Sequence, residues 1–254
     1  MKRLQERNLR REIYSLRARY GRSLGYRPIH ALLIKKGISC TAELVRKIMK
    51  IAGFAGLPKK RRYPKVNYSP EIGNLIRGNF QSTKPHEEWF ISIAQKRYLT
   101  TAIYLAVIKN AASRVVGYAT GKNPNSEIVV RALTITTEGY KPKGTVVHSD
   151  IGLVFKSEHY RNAVAQAGFI ESMGNAELSF ANQLIDSFFG KIKTELLHTR
   201  RWKSYEEIKK AIIEYCENFY NSIRPQMVLR GRTPLKEFHR LTTCTSIQAT
   251  TNFA

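Results

Sequence analysis

The stretch Gly144-Thr145-Val146-Val147-His148-Ser149-Asp150 decides the fold of this chain, because it has the apolar run of a buried strand and ends in a carboxylate. A second stretch, Leu184-Ile185-Asp186-Ser187-Phe188-Phe189-Gly190-Lys191-Ile192-Lys193, has the apolar spacing of a helix. Asp150 and Asp186 are the only two aspartates among the 254 residues. A carboxylate at a strand end and a carboxylate on a helix can share a divalent metal ion, so we expect the two to meet in one site.

The elements around these two stretches predict a mixed sheet. Three strand patterns come first and are expected to pair antiparallel, with a hairpin joining the last two. Helix patterns then alternate with strand patterns, which is typical of parallel strand-helix-strand units. The predicted strands are 89–94, 102–108, 114–119, the stretch that ends at Asp150, and 169–172, and the predicted helices are 126–138, 157–167 and 204–218. The fold class that follows is α/β.

The charge of the chain indicates a polyanionic partner. It has 43 Lys and Arg against 19 acidic residues, a net charge of +24, and its 43% hydrophobic content is enough to build a core. The three cysteines, Cys40, Cys216 and Cys244, lack the spacing of a disulfide framework or a zinc finger, which favours a reducing cytoplasm. No apolar stretch is long enough for a membrane span or has the position of a signal peptide, so membrane partners are not expected.

The N-terminal part has the outline of a helix-turn-helix. Pro28 suits the first turn of one helix, Gly37 marks a turn, and Thr41 can cap a second helix. A small helical hairpin that packs on the core is the alternative interpretation. The basic residues on and after the second helix favour contact with a DNA groove and its phosphates. The predicted DNA-binding residues here are Arg46, Lys47, Lys50, Lys59, Lys60, Arg61 and Arg62.

Four divisions of the chain follow from these patterns. Residues 1–62 are the helical DNA-binding region, 63–85 a linker, 86–240 the α/β core and 241–254 a disordered tail without periodicity.

The helix that carries Asp186 has a polar stripe. At 100° per residue, Asn182, Asp186, Gly190 and Lys193 fall within roughly 40° of one another. A metal ion beside Asp186 and a phosphate at Lys193 would explain this stripe. A solvated helix face is the alternative.

Several motifs, in their order, resemble one known family. His148-Ser149-Asp150-Ile151-Gly152, an acidic residue 36 positions later at Asp186, and Phe219-Tyr220-Asn221 followed by Arg224-Pro225 are similar to insertion-sequence transposases whose catalytic core resembles retroviral integrase. The likeness is to the second-reading-frame product of that group. It extends to the N-terminal Gly25-Tyr26-Arg27-Pro28-Ile29-His30, so it covers nearly the whole chain.

The resemblance implies a ribonuclease H-like fold with helices on both faces of the sheet. It also implies two Mg²⁺ or Mn²⁺ ions, held by two aspartates and a glutamate, that support 3′-end cleavage and strand transfer on double-stranded DNA. Further implied partners are other copies of the chain, assembled on paired element ends, and the first-frame product of the same element. The implied location is the bacterial cytoplasm, at the nucleoid.

The chain departs from the family at polar positions. Asp150 matches the second carboxylate, Asp186 stands where the family has Glu, and Ser92 stands where the family has its first Asp. A neutral hydroxyl is a poor substitute for a bridging carboxylate. Glu88 lies four residues from Ser92, about 13 Å along a strand, which is too far for one metal pair. The family also has Asp where this chain has Asn110 and Ala181, and His where it has Gln226.

Three hypotheses follow. The favoured one is a transposase relative that binds DNA and whose phosphoryl transfer is reduced on the order of a thousandfold or more by loss of the bridging ligand. The first alternative is an active transposase with an unrecognised third ligand. The second is an unrelated basic RNA-binding protein, although no RNA-recognition motif supports it.

Overall fold

The computed structural model describes residues 2–20, 24–54, 72–76, 84–141, 144–174 and 183–251. Its N-terminal part contains three helices, α1 (Lys2–Tyr20), α2 (Tyr26–Lys35) and α3 (Ala42–Ile51). Each helix contributes apolar side chains to a shared core, among them Ile13 of α1, Leu33 of α2 and Ile48 of α3. Burial of these side chains is what holds three short helices together, because helices of this length are marginal in isolation.

The predicted turn between α2 and α3 is confirmed. Gly37 has a φ of +79°, a conformation that favours glycine. The Ile38 N–H donates to the Leu33 carbonyl at 3.0 Å, which closes the end of α2 in the manner of a Schellman motif. Thr41 caps α3, because its hydroxyl accepts from the Leu44 N–H at 3.2 Å. The helix pair is therefore present, and its use in DNA recognition stays a prediction.

A five-stranded mixed sheet forms the centre of the second part. Its strand order is β3-β2-β1-β4-β5; β1 to β3 pair antiparallel, whereas β4 pairs parallel with β1 and β5 parallel with β4. This order and these directions are those of a ribonuclease H-like sheet, so the predicted fold class is confirmed. The strands are β1 (Glu88–Tyr98), β2 (Thr101–Asn110), β3 (Val115–Gly121), β4 (Val146–Ser149) and β5 (Ile170–Met173).

Helices cover both faces of the sheet. Alternate residues of β1 point to opposite faces, so Phe90 joins one core and Trp89 the other. On the Trp89 face, α4 packs so closely on β3 that a Cβ at Gly117 would lie 1.8 Å from Thr136 Oγ1, which explains why glycine stands there. The Trp89 face is covered by α4 (Ser126–Gly139) and α5 (Glu158–Gln166), and the Phe90 face by α6 (Gln183–Ile192) and α7 (Tyr205–Glu214).

Both helices on the Phe90 face continue as π-helical segments, at Lys193–Leu197 and at Tyr215–Asn221. The start of α7 was predicted correctly, because Ser204 Oγ accepts from the Glu207 N–H at 3.2 Å. The Glu207 carboxylate returns to the Lys203 N–H at 2.9 Å, one residue before the cap.

The C-terminal segment differs from its prediction. The helix α8 (Pro234–Thr251) includes residues 241–251, which were expected to form a disordered tail. The hydroxyls of Thr242 and Thr243 donate to the carbonyls of Phe238 and His239, so these threonines bond within the helix instead of interrupting it. Residues 252–254, and most of the predicted linker 63–85, lie outside the described residues. Within the part of the chain that is described, none of the helices combines the length and the apolar character of a membrane span.

Candidate active site

Ser92 and Asp150 meet where β1 and β4 run side by side. The parallel register pairs Ile91 with Ser149, so the next residue of each strand lies at the same level. The Ser92 hydroxyl donates a hydrogen bond to Asp150 Oδ2. Ser92 is buried and Asp150 is half-buried. The structure therefore places the residue at the family's first position directly beside the second.

The carboxyl group of Asp150 is held in an environment that disfavours its charge. Burial raises the pKa of Asp150 to about 6, the hydrogen bond from Ser92 opposes that rise, and the negative charge of Asp186 adds to it. The negative charge of Asp186 therefore acts on Asp150, and the convergence of the two carboxylates on one metal site stays a prediction.

Asp186 lies in the first turn of α6. It is exposed as a whole residue, yet its surroundings desolvate the carboxyl group enough to raise its pKa, and the positive charge of Lys193 opposes this rise. Lys193 therefore acts electrostatically on Asp186, and the metal ion beside Asp186 and the phosphate at Lys193 stay predictions. Asn182, the first member of that stripe, lies outside the described residues.

Ser92, Asp150 and Asp186 do not fit the pair of metal ions that the family resemblance implies. Within the described part of the chain, no three His, Cys, Asp or Glu side chains gather as a metal-binding group. Ser92 contributes a neutral oxygen, and its hydroxyl donates a hydrogen bond to an Asp150 oxygen that a bound cation would need as a ligand. Glu88 does not replace it, because Glu88 pairs with Val146, three residues down β4 from Ser149.

Comparison with known proteins gives the family. The sequence model of one protein family, described as the integrase core domain, matches residues 186–242 of this chain. A transposase-like protein of Haemophilus influenzae is 30% identical over 210 residues, which span 80% of this chain and 94% of that protein. The chain belongs to the insertion-sequence transposase family. A protein named as a transposase of insertion sequence IS150 in Escherichia coli is 28% identical over 232 residues, 89% of this chain and 80% of its own length.

Two solved structures are also similar to this transposase-family chain. The HTLV-2 integrase catalytic core domain, solved with magnesium, is 19% identical with a TM-score of 0.45, over 61% of this chain and 98% of that one. An intasome of simian T-cell lymphotropic virus with a regulatory subunit of PP2A gives a TM-score of 0.49 at 13% identity, over 85% of this chain and 71% of that one.

The other polar departures from the family pattern have local hydrogen-bonding roles in this structure. Asn110 Oδ1 accepts from the Arg114 N–H at 3.0 Å and so supports the turn between β2 and β3. Gln226 Oε1 accepts from Lys191 Nζ at 3.1 Å. Ala181 lies outside the described residues.

A buried ion pair in the π-helical segment that follows α6 was missed by the sequence analysis. The Glu195 carboxylate accepts from Arg224 Nε at 2.7 Å and from the Tyr215 hydroxyl at 2.8 Å. Glu195 and Arg224 are both buried, so each charge depends on the other. The Lys193-Thr194-Glu195 and Arg224-Pro225 motifs were visible in the sequence, but nothing in their spacing showed that they touch.

Lys109 was also missed. Its side chain is 1% exposed, and its Nζ donates to the carbonyl of Leu184 at 2.7 Å, two residues before Asp186. Burial lowers the pKa of Lys109, and the charges of Lys191 and Arg224 lower it further. The strand β2 therefore tethers the first turn of the helix that carries Asp186.

The predicted DNA-binding residues fall into three groups. Arg46, Lys47 and Lys50 are all exposed on α3, and Arg46 also forms an ion pair with Glu43 at 2.7 Å. Lys193 is half-buried near Asp186. Lys59, Lys60, Arg61 and Arg62 lie outside the described residues.

Proposed function

We propose that this protein acts in DNA transposition as a DNA-binding member of its family whose phosphoryl transfer is impaired. The observation that carries the proposal is the hydrogen bond from Ser92 to Asp150 in the place where the family has a carboxylate. A hydrogen-bonded Ser–Asp pair supplies one negative charge where two carboxylates would supply two.

Loss of the bridging carboxylate has a large energetic effect on phosphoryl transfer. Divalent ions at such a site supply Lewis-acid stabilisation of the developing charge, worth several kcal/mol. Each 1.4 kcal/mol is tenfold in rate, so a missing bridging ligand reduces cleavage and strand transfer on the order of a thousandfold or more. The raised pKa of Asp150 adds to this loss, because a proton competes with a cation for the same carboxylate.

DNA binding is supported by the charge and by the exposed lysines of α3. The net charge of +24 favours a polyphosphate, and Lys47 and Lys50 are exposed on one short helix. Self-association on paired element ends, contact with the first-frame product, and action at the nucleoid in the bacterial cytoplasm belong to the same proposal, and the family relationship supports them.

A nicking assay tests the impaired chemistry. Oligonucleotides that carry the ends of the element would be incubated with Mn²⁺ and either wild type, Asp150→Ala, or the double variant Ser92→Asp with Asp186→Glu. We expect wild type and Asp150→Ala to nick at similarly low rates, and the double variant to nick faster. Nicking by wild type far above that of Asp150→Ala would instead support the alternative of an active enzyme with an unrecognised third ligand.

A binding assay tests the choice of nucleic acid. We expect wild type and Asp150→Ala to bind duplexes that carry the element ends more tightly than duplexes of scrambled sequence. Tighter binding to structured RNA than to either duplex would overturn the proposal in favour of the RNA-binding alternative.

A further inference from the structure

A cavity of about 830 Å³ lies where the N-terminal helices meet the α/β core. The end of α1 forms one side, and the π-helical segment after α6 together with α7 and its continuation forms the other. Phe219 and Ile223 line it and also pack against the core of the N-terminal helices. The cavity is within the usual size range of small-molecule sites.

Aromatic side chains form one wall of this cavity. The ring of Tyr20 stacks on that of Phe219, with centroids 5.3 Å apart and planes at 25°. The ring of Tyr215 lies behind Phe219, at 5.5 Å. Tyr20 and Phe219 both line the cavity and are half-buried, and the Arg19 guanidinium lies over the Tyr20 ring, 5.3 Å from its centroid. A planar apolar group such as a nucleobase fits against a wall of this kind.

The charged groups around the cavity leave two basic side chains and one acidic side chain without a charged partner among the described residues. Glu207 pairs with Arg200 at 3.5 Å and Glu195 is bound to Arg224, whereas Glu214 accepts from the neutral amide of Asn218 at 2.8 Å and keeps its negative charge. These are the acidic side chains that line the cavity. Among the described residues, Arg19 and Lys210 line it without an acidic partner of their own, and both are exposed.

We propose that this cavity binds one unpaired nucleotide of a DNA strand. The base packs against Tyr20 and Phe219, and its phosphate is held by Arg19 and Lys210. The inference rests on the proposed DNA binding and extends it to a second site, away from Asp150. A paired base exposes only its edges, so a base that reaches this wall comes from an unpaired end or an extruded position. A second copy of this chain is a poor occupant, because each copy carries a charge of +24.

The phosphate contact is tested with adjacent lysines on α7. Lys210 lines the cavity, whereas Lys209 does not and lies 3.9 Å from Glu206. The affinity for a ten-nucleotide single strand would be measured against salt concentration for Lys210→Gln and for the control Lys209→Gln. We expect Lys210→Gln to lower the slope of log affinity against log salt by roughly 0.7, the effect of one lost phosphate contact, and Lys209→Gln to leave it unchanged. Equal slopes for the two variants would overturn the proposal.

The base contact is tested with 2-aminopurine placed at the end of the same single strand. Stacking in the cavity should quench its fluorescence, and Tyr20→Leu and Phe219→Leu should each remove the quenching and weaken binding roughly tenfold. A strand with an abasic end should bind equally to wild type and to Tyr20→Leu. Quenching that persists in both leucine variants would overturn the assignment, and so would competition by free dAMP as strong as that of the strand.

The two proposals fail in different ways. If duplexes with element ends bind but Lys210→Gln behaves like Lys209→Gln, only the cavity assignment is lost. If neither duplex nor single strand binds, the proposed function is lost as well.

Discussion

At the scale of single residues, two opposing effects act on the charge of Asp150. Burial, the larger effect, disfavours the ionised carboxylate, and the hydrogen bond that the Ser92 hydroxyl donates to Asp150 Oδ2 favours it. Asp150 can therefore be ionised above pH 6 without a cation beside it. The family's first carboxylate would have the opposite effect on Asp150, because two neighbouring negative charges raise each other's pKa.

The first prediction concerns this bond. Ser92→Ala should raise the pKa of Asp150 above about 6, because the variant loses the hydrogen bond that stabilises the ionised form. The chain has only two aspartates, so ¹³C labelling of aspartate gives two carboxyl signals that can be followed by NMR across pH. The Asp186 signal serves as the internal control. An unchanged Asp150 titration in Ser92→Ala would show that the bond does not stabilise the ionised carboxylate.

At the scale of elements, the position of α6 depends on contacts from other parts of the sequence. Lys109 of β2 holds the carbonyl of Leu184, and Lys191 of α6 reaches Gln226. The apolar side of α6 is fixed by Phe188 and Ile192, which are both fully buried. Asp186 is thus held by a helix that is anchored on both its polar and its apolar sides.

The second prediction tests the tether at the start of α6. Lys109→Met keeps the unbranched apolar part of the side chain but removes its donor, so amide hydrogen exchange of residues 187–190 should become faster. The rest of the sheet should keep its protection, because methionine fills the same apolar space. Lys191→Met is the control on α6 itself, since the Lys191 Nζ donates to Ser187 Oγ and to Gln226 Oε1. Equal exchange at residues 187–190 in wild type and Lys109→Met would contradict the tether.

The third prediction concerns His86, which precedes β1 and stacks on Tyr140 with ring centroids 3.7 Å apart. Burial, and secondarily the charge of Arg114, lowers the pKa of His86 to about 4. In the unfolded chain the histidine takes up its proton near pH 6.5. The unfolded state therefore binds more protons between these values, and stability is lost as the pH falls from 6.5 to 4.

His86→Phe should keep the stacking on Tyr140 and remove the loss of stability at low pH. Between pH 7 and pH 4, we expect the free energy of unfolding of the variant to fall by roughly 1–3 kcal/mol less than that of wild type, after allowance for partial exposure of the ring. Urea unfolding at both pH values measures it. His159→Phe is a control, because His159 lies on α5 outside this cluster. A pH dependence identical to that of wild type would refute the role of His86.

At the scale of the whole molecule, two folded parts meet through a few shared side chains. Phe219 and Ile223 of the α/β part pack against the core of the N-terminal helices, and Tyr20 stacks on Phe219. The net charge of +24 spreads over both parts. Binding of a long polyanion by such a molecule is expected to depend strongly on salt.

The fourth prediction tests the DNA-binding role of α3. The double variant Lys47→Gln with Lys50→Gln should lower the slope of log affinity against log salt for duplex DNA by roughly two, about 0.9 for each lost phosphate contact. Arg46→Gln, at the third predicted DNA-binding residue of α3, should lower the slope less than either lysine change, because Arg46 is paired with Glu43. Fluorescence anisotropy at several salt concentrations measures the slopes. Slopes equal to that of wild type would remove α3 from the interface.

The sequence by itself determined the order of strands and helices, the capped start of α3, the turn at Gly37 and the strand that ends just before Asp150. These depend on local apolar periods, caps and motif spacing, which are properties of short segments. It was wrong about residues 241–251, because a lack of apolar periodicity does not prevent a helix whose threonines bond within it.

Only the tertiary structure decided what supports and surrounds the site. The hydrogen bond between Ser92 and Asp150 joins residues 58 positions apart, and the contact of Lys109 with Leu184 spans 75 positions. The pair of Glu195 and Arg224 and the cavity between α1 and α7 likewise depend on how distant segments pack. Periodicity and caps describe a segment's own conformation, whereas a buried charge acquires its partner and its pKa only when the sheet and helices close around it.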